Sequence, residues 1–132
     1  MIFDSNIVLH LLDEPPGSAL YEAIEATRAG KVCVNEIVFA EVSTRFRSVE
    51  LLDRALAGLE LRIERLTLPE CHHAGQAFAE YRRRGGEKTT ILPDFLIGAQ
   101  AELRGWPLAT RDRKGFASYF PDIQIIDPTE DL

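Results

Sequence analysis

MIFDSNIVLHLLDEPPG, residues 1–17, sets the reading of the whole chain. Three apolar residues, Met1 to Phe3, read as a strand that runs directly into an acid, Asp4. Ser5 or Asn6 is placed to cap a helix that continues through Leu12, and Pro15-Pro16-Gly17 ends it. A short strand feeding a helix is the opening of a βα unit, and the pattern repeats to the end of the sequence.

Ser18 is the expected cap of SALYEAIEATRAG (18–30), where Leu20, Ala23 and Ile24 recur at helical spacing and Gly30 is the C-terminal stop. Lys31 to Val34 reads as the second strand. Asn35 then caps a helix through NEIVFAEVSTRF (35–46), and VELLDRALAGL (49–59) forms another that ends near Gly58. LRIERL (61–66) alternates apolar and charged residues, as a half-exposed strand does. A long helix from Pro69 to Arg84 stops at Gly85-Gly86, and Pro93 opens the next, DFLIGAQAELRG (94–105). Strand PLAT (107–110), a short helix around KGFASYF (114–120) and strand IQIID (123–127) complete the chain. Strands separated by helical stretches require crossover connections, so the expectation is an α/β domain with a parallel sheet between helical layers, one domain over residues 1–132.

Composition fits that expectation. Hydrophobic residues make up 45% and charged residues 27% of the sequence, an ordinary balance for a globular chain. No apolar run approaches the roughly 20 residues of a membrane span, and the start carries Asp4 in place of a basic secretory segment, so the expected location is the cytoplasm. Cys33 and Cys71 lie in different elements without CxxC spacing and are read as free thiols. The net charge of −6 excludes an all-over phosphate-binding surface. Basic residues do cluster in RRRGGEK (82–88) and RDRK (111–114), each flanking an acid.

In open parallel sheets ligands bind beyond the carboxyl ends of the strands, so acids that follow strands are the candidates. Asp4 follows the first strand at once, and Asp112 follows LAT after one arginine. Asp94 lies in the first turn of a helix, where the helix dipole alone favours a negative charge. Glu41 interrupts an apolar stretch, with Ile37 and Val38 a turn before it, and a carboxylate on a buried face needs a partner or a metal. A bridge to Arg45, four residues on, is its structural alternative. Four carboxylates gathered together raise one another's pKa values and need a compensating cation, and hard oxygen donors select Mg²⁺ or Mn²⁺ over zinc.

FDSN (3–6), NEIVFAEV (35–42), LPDFLIGAQA (92–101) and LATRDRKGF (108–116), in this order and spacing, resemble the PIN-domain nucleases, specifically the VapC toxins of toxin–antitoxin pairs, over nearly the whole length. The resemblance implies a three-layer α/β/α fold with a central parallel sheet of about five strands. It implies that Asp4 and Asp94 are the main ligands of Mg²⁺ or Mn²⁺, completed by Glu41 and Asp112. Asn6 and Thr110 would orient the carboxylates or water from behind. It also implies an endoribonuclease that hydrolyses phosphodiester bonds in structured RNA, a homodimer, and a cognate small VapB-like antitoxin that blocks the acidic groove. Some relatives carry another acid shortly after the fourth motif. Here Arg113, Lys114 and Gly115 occupy that stretch, so the expectation is one firmly held metal with a second arriving alongside RNA. The strand before Asp4 is shorter than relatives usually show, which points to a start upstream of Met1.

Arg82, Arg84, Lys88, Arg111 and Arg113 are the candidate RNA contacts, although positive charge at a helix C-terminus is favourable without any ligand. Cys71, His72 and His73 point in different directions on a helix and are read as no zinc site. His10 has no catalytic partner at a recognisable spacing and reads as a packed or surface histidine. Tyr81, Trp106 and Phe116 read as core. Two competing functions stand beside the nuclease: a non-catalytic PIN-like module that binds RNA or protein, and a phospho-accepting receiver domain, in which Glu41 would have no role.

Overall fold

A computed structural model describes residues 1–132. Five short strands form one parallel sheet: β1 (Ile2–Phe3), β2 (Cys33–Val34), β3 (Arg62–Ile63), β4 (Leu108–Ala109) and β5 (Ile125–Ile126), in the order β3-β2-β1-β4-β5. Seven helices connect them: α1 (Ser5–Asp13), α2 (Ala19–Ala26), α3 (Glu36–Val42), α4 (Val49–Gly58), α5 (Leu68–Arg83), α6 (Pro93–Arg104) and α7 (Arg113–Ala117). A single 3₁₀ turn, Ser43–Arg45, extends α3.

The chain steps outward from β1 to β2 and β3, then returns past β1 to β4 and β5. Right-handed crossovers in these two directions put α1 to α4 on one face of the sheet and α5 to α7 on the other. Helix α1 accordingly contacts α2 and α3, and α6 contacts α5 and α7, while α3 also touches α6. The reversal falls between β1 and β4, whose register pairs Ile2 with Leu108 and Phe3 with Ala109. The residues that leave the two strands, Asp4 and Thr110, therefore emerge side by side at the crevice where parallel sheets bind ligands. The Asp4 N–H donates to the Ala109 carbonyl at 3.0 Å, extending the ladder by one residue.

Local chemistry explains most element boundaries and corrects two. Ser18, Asn35 and Ser48 cap their helices through side-chain oxygens, and Thr67 with Glu70 forms a reciprocal capping box at the start of α5. The cap of α1, however, is Asp4 itself, whose carboxylate accepts from the Ser5 N–H; Ser5 and Asn6 lie inside the helix. Gly30 does not end α2, which stops at Ala26; it takes a left-handed conformation (φ 65°) in the turn into β2.

The core lies around β1, where Ile2 and Phe3 are fully buried, and takes Ile7, Val8, Ile24 and Val38 from one helical layer and Phe95, Ile97 and Phe116 from the other. A Cβ on Gly98 would lie 2.5 Å from the Phe120 ring, so a hydrogen at that position sets how closely α6 approaches Phe120. Glu70, only 3% exposed, is held by Arg104 at 2.6 Å, which fastens α5 to α6. Strand β3 lies at the sheet edge with both residues exposed, Ile63 included, and so is more open than the half-exposed strand that the alternating LRIERL segment suggests.

Candidate active site

Asp4 is 4% exposed and has no cationic partner. Its Oδ1 accepts from the Ser5 N–H at 2.8 Å, and its Oδ2 accepts from the Thr110 hydroxyl at 2.8 Å and from Asn6 Nδ2 at 3.3 Å. Burial raises its pKa above the usual carboxylate value, the Thr110 and Ser5 hydrogen bonds oppose that shift, and the charge of Asp112 adds to it. Thr110 is fully buried, and its oxygen also accepts from the Asp112 N–H at 3.0 Å and from Asn6 Nδ2 at 3.3 Å. One hydroxyl thus ties the end of β1 to the end of β4.

The other three acids come from different elements. Asp94 lies in the first turn of α6, half-buried, with its pKa pushed up to about 6 by desolvation first and then by the charges of Asp4, Asp112 and Glu41. No hydrogen bond or ion pair stabilises its charged form. Asp112 is exposed and caps α7, accepting from the Gly115 N–H at 3.2 Å. Glycine at 115 makes that cap accessible, because a Cβ there would stand 2.8 Å from the Asp112 carboxylate.

Glu41 corrects an expectation. It does not sit on the buried face of its helix: Val38 and Val42 point inward, and Glu41 is exposed. Arg45 is not its partner either, since that guanidinium makes a two-pronged bond to Asp13, at 2.7 and 3.2 Å. The Glu41 carboxylate is nevertheless partly desolvated on the side toward the cluster. Desolvation and the Asp4 charge raise its pKa against the opposing effect of the Ser5 hydroxyl.

The four carboxylates therefore feel one another across the crevice without forming a closed set: no three Asp, Glu, His or Cys side chains stand as a group that could hold an ion unaided. The donor chemistry still fits a hard divalent cation. All four offer carboxylate oxygens, none is paired with Lys or Arg, and burial together with mutual repulsion leaves Asp94 with negative charge that nothing in the chain offsets.

The basic residues divide into two groups. Arg82 and Arg84, expected at an RNA surface, are committed to the chain: Arg82 Nη1 donates to the carbonyls of Gly86, Glu87 and Lys88, closing the loop after α5. Arg84 bonds Glu80 and the Ser118 carbonyl and lies over the Tyr119 ring. Lys88 is exposed, Arg113 pairs with Glu130 at 3.6 Å, and Arg111 Nη1 lies 2.8 Å from His10 Nε2. His73 bonds Glu102 at 2.7 Å and His72 approaches Gln76, while Cys71 and Cys33 are free thiols. Tyr81, Trp106 and Phe116 pack within the fold. Ser5, read from sequence only as a helix cap, donates its N–H to Asp4 and belongs to the site. His10, read as a packed or surface histidine, is half-buried one helical turn beyond Asn6 on the same face of α1.

Several comparisons bear on this geometry. The PIN domain family profile matches residues 1–119. Among solved structures, the chain is similar to a toxin–antitoxin complex from Klebsiella pneumoniae, at 25% identity and a TM-score of 0.71 over 96% of each chain. It is also similar to VapBC-1 from nontypeable Haemophilus influenzae, at 21% identity and a TM-score of 0.72 over 98% of this chain and 100% of that one. FitAcB from Neisseria gonorrhoeae matches at 20% identity and a TM-score of 0.71 over 98% of both. No curated protein matches the sequence. The five-stranded parallel sheet between helical layers is the PIN fold, and with the profile spanning residues 1–119 the chain belongs to the PIN domain family.

Proposed function

We propose that this chain is a metal-dependent endoribonuclease that acts as the toxin of a toxin–antitoxin pair and hydrolyses phosphodiester bonds in structured RNA. The observation that carries the reading is the uncompensated acidic cluster at the β1/β4 reversal. Burying Asp4 and half-burying Asp94 beside two further acids, with no cation among them, opposes folding unless a bound ion offsets the charge.

In this reading Asp4 and Asp94 are the main ligands of Mg²⁺ or Mn²⁺, and Glu41 and Asp112 complete the set. When bound, the ion supplies water activation and charge stabilisation for in-line displacement at phosphorus. The chain's own residues do the rest. Thr110, Asn6 and the Ser5 N–H fix both oxygens of Asp4. Asp112 gives Oδ1 to the Gly115 N–H, which leaves Oδ2 as its free donor. Glu41, exposed and with a raised pKa, is suited to take a proton from an incoming water as an alternative to binding metal. Lys88, Arg111 and Arg113 are the exposed cations that meet RNA phosphates. With Arg113, Lys114 and Gly115 where some relatives carry another acid, a single firmly held ion is expected, the second entering with RNA.

The Klebsiella structure is a toxin–antitoxin complex. By that likeness, a small VapB-like antitoxin inhibits the acidic groove here; a homodimer and a cytoplasmic location are proposed only on the resemblance to the VapC toxins. No helix is long and apolar enough to cross a membrane.

One observation favours a second reading. Because no three acids form a ready group, the fold would also suit a non-catalytic PIN-like module that binds RNA or protein. Calorimetry with Mn²⁺ separates the two. The nuclease reading predicts a saturable binding event in the wild type that Asp94→Asn abolishes, whereas a wild type that takes up no Mn²⁺ supports the module.

A further inference from the structure

We propose that His10 is a positioning residue for RNA, holding the Arg111 guanidinium at the rim of the acidic crevice so that it meets a phosphate of the bound strand. The inference rests on the nuclease reading and assigns a role to a residue outside the acidic cluster. Arg111 is fixed at both ends from α1. Its N–H donates to Asn6 Oδ1 at 3.3 Å, and its Nη1 lies 2.8 Å from Nε2 of His10, one helical turn beyond Asn6. Arginine has no acceptor, so His10 Nε2 takes the hydrogen bond as a neutral ring with its proton on Nδ1. Asn6 in turn reaches Asp4 and Thr110. The direction of the Arg111 side chain is thereby tied to the same helix that starts at Asp4.

The choice of partner matters electrostatically. Arg45 and Arg113 are oriented by carboxylates, Asp13 and Glu130, which also offset their charge. A neutral imidazole orients a guanidinium without supplying the opposite charge that a carboxylate brings. Asp127 is near enough for its charge to feel Arg111, but no hydrogen bond joins the two. Arg111 is exposed, directly precedes Asp112, and keeps most of its five donors free. An acidic crevice repels a polyanion, and a preoriented cation without an ion-pair partner at its rim lowers that repulsion where the scissile phosphate enters.

The test uses the full chain with a fluorescein-labelled RNA stem-loop, read by anisotropy and by Mn²⁺-dependent cleavage. His10→Ala is expected to raise Kd and KM roughly three- to tenfold, the value of one oriented hydrogen bond, while kcat and Mn²⁺ affinity stay near wild type. His10→Gln, which retains an acceptor oxygen, restores most of the loss. Arg111→Ala weakens binding further and reduces the slope of log affinity against log salt by about 0.7 to 1, and adding His10→Ala to it changes nothing more. A wild-type Kd in His10→Ala, or the same fold-loss on top of Arg111→Ala, overturns the proposal. Binding that responds in this way without any cleavage would refute the nuclease reading and leave the positioning role standing, whereas no RNA binding at all overturns both.

Discussion

At the scale of single residues, the acidic crevice sets function against stability. Asp94 has a pKa of about 6 in the folded protein against 3.8 for an ordinary aspartate, so the folded state binds more protons between those values. The contribution of Asp94 to metal-free stability is therefore greatest below pH 4, falls as the pH rises to about 6, and is level above. The loss is on the order of 1–2 kcal/mol once solvent screening of the half-buried carboxylate is allowed for. Asp94→Asn should raise the melting temperature of metal-free protein at pH 8, with the gain vanishing near pH 4; thermal unfolding at the two pH values checks this, and equal shifts at both would contradict it. Mn²⁺ affinity should rise as pH climbs through 6, with proton release on binding. Thr110→Val removes the hydroxyl that holds Asp4 and should lower Mn²⁺ affinity about 10- to 100-fold while the secondary structure survives, as read by calorimetry and circular dichroism. Of these residues, Asp4 and Asp112 were legible in sequence because each follows a strand. Glu41 was misplaced because Ile37 and Val38, four and three residues before it, suggested a buried face, whereas the buried stripe of α3 runs through Val38 and Val42 and leaves Ile37 only half-buried. Val38 and Val42 point into the core, and Glu41, one position from Val42, is turned by about 100° away from it. The Asp13 partner of Arg45 lies 32 residues away in sequence, where local spacing carries no information.

Elements were the most legible scale, since caps and prolines punctuate this chain clearly. Every expected strand and helix forms, and the differences lie at the ends. The strands shorten to two paired residues each, whether buried as in β1, β2 and β4 or exposed as in β3. The cap of α1 was assigned to Ser5 or Asn6 because Asp4 was read only for chemistry, yet its carboxylate performs both tasks. Arg82, a candidate RNA contact in a run of arginines, in the fold satisfies three carbonyls that no helix or strand can satisfy. The tight approach of α6 to Phe120 gives an element-scale prediction. Gly98→Ala should destabilise the protein by about 1–3 kcal/mol in denaturant titrations, through a methyl group driven into the Phe120 ring. A neutral result would mean that the two elements separate easily. Breaking the α5–α6 fastening with Arg104→Ala should cost about 2–3 kcal/mol, because Glu70 stays buried without its partner.

At the scale of the whole molecule, topology does what no local motif can: it reverses direction between β1 and β4 and so delivers Asp4 and Thr110 to one crevice, with Asp112 three residues past β4, from positions more than a hundred residues apart. The alternation of strands and helices made the parallel sheet legible, and the rule that ligands gather at strand carboxyl ends made the acids legible. What remained hidden was their separation, because the four carboxylates influence one another yet form no ready group of three. The crevice is thus proposed as a site that an ion completes and at which RNA is cut. The most direct measurement is cleavage of a structured RNA by purified wild type, Asp4→Asn and Asp94→Asn, with Mn²⁺ and with EDTA. Cleavage is expected for the wild type with Mn²⁺ alone, with a loss of at least about a hundredfold in either variant. Cleavage that persists in EDTA, or at wild-type rates in both variants, would contradict it.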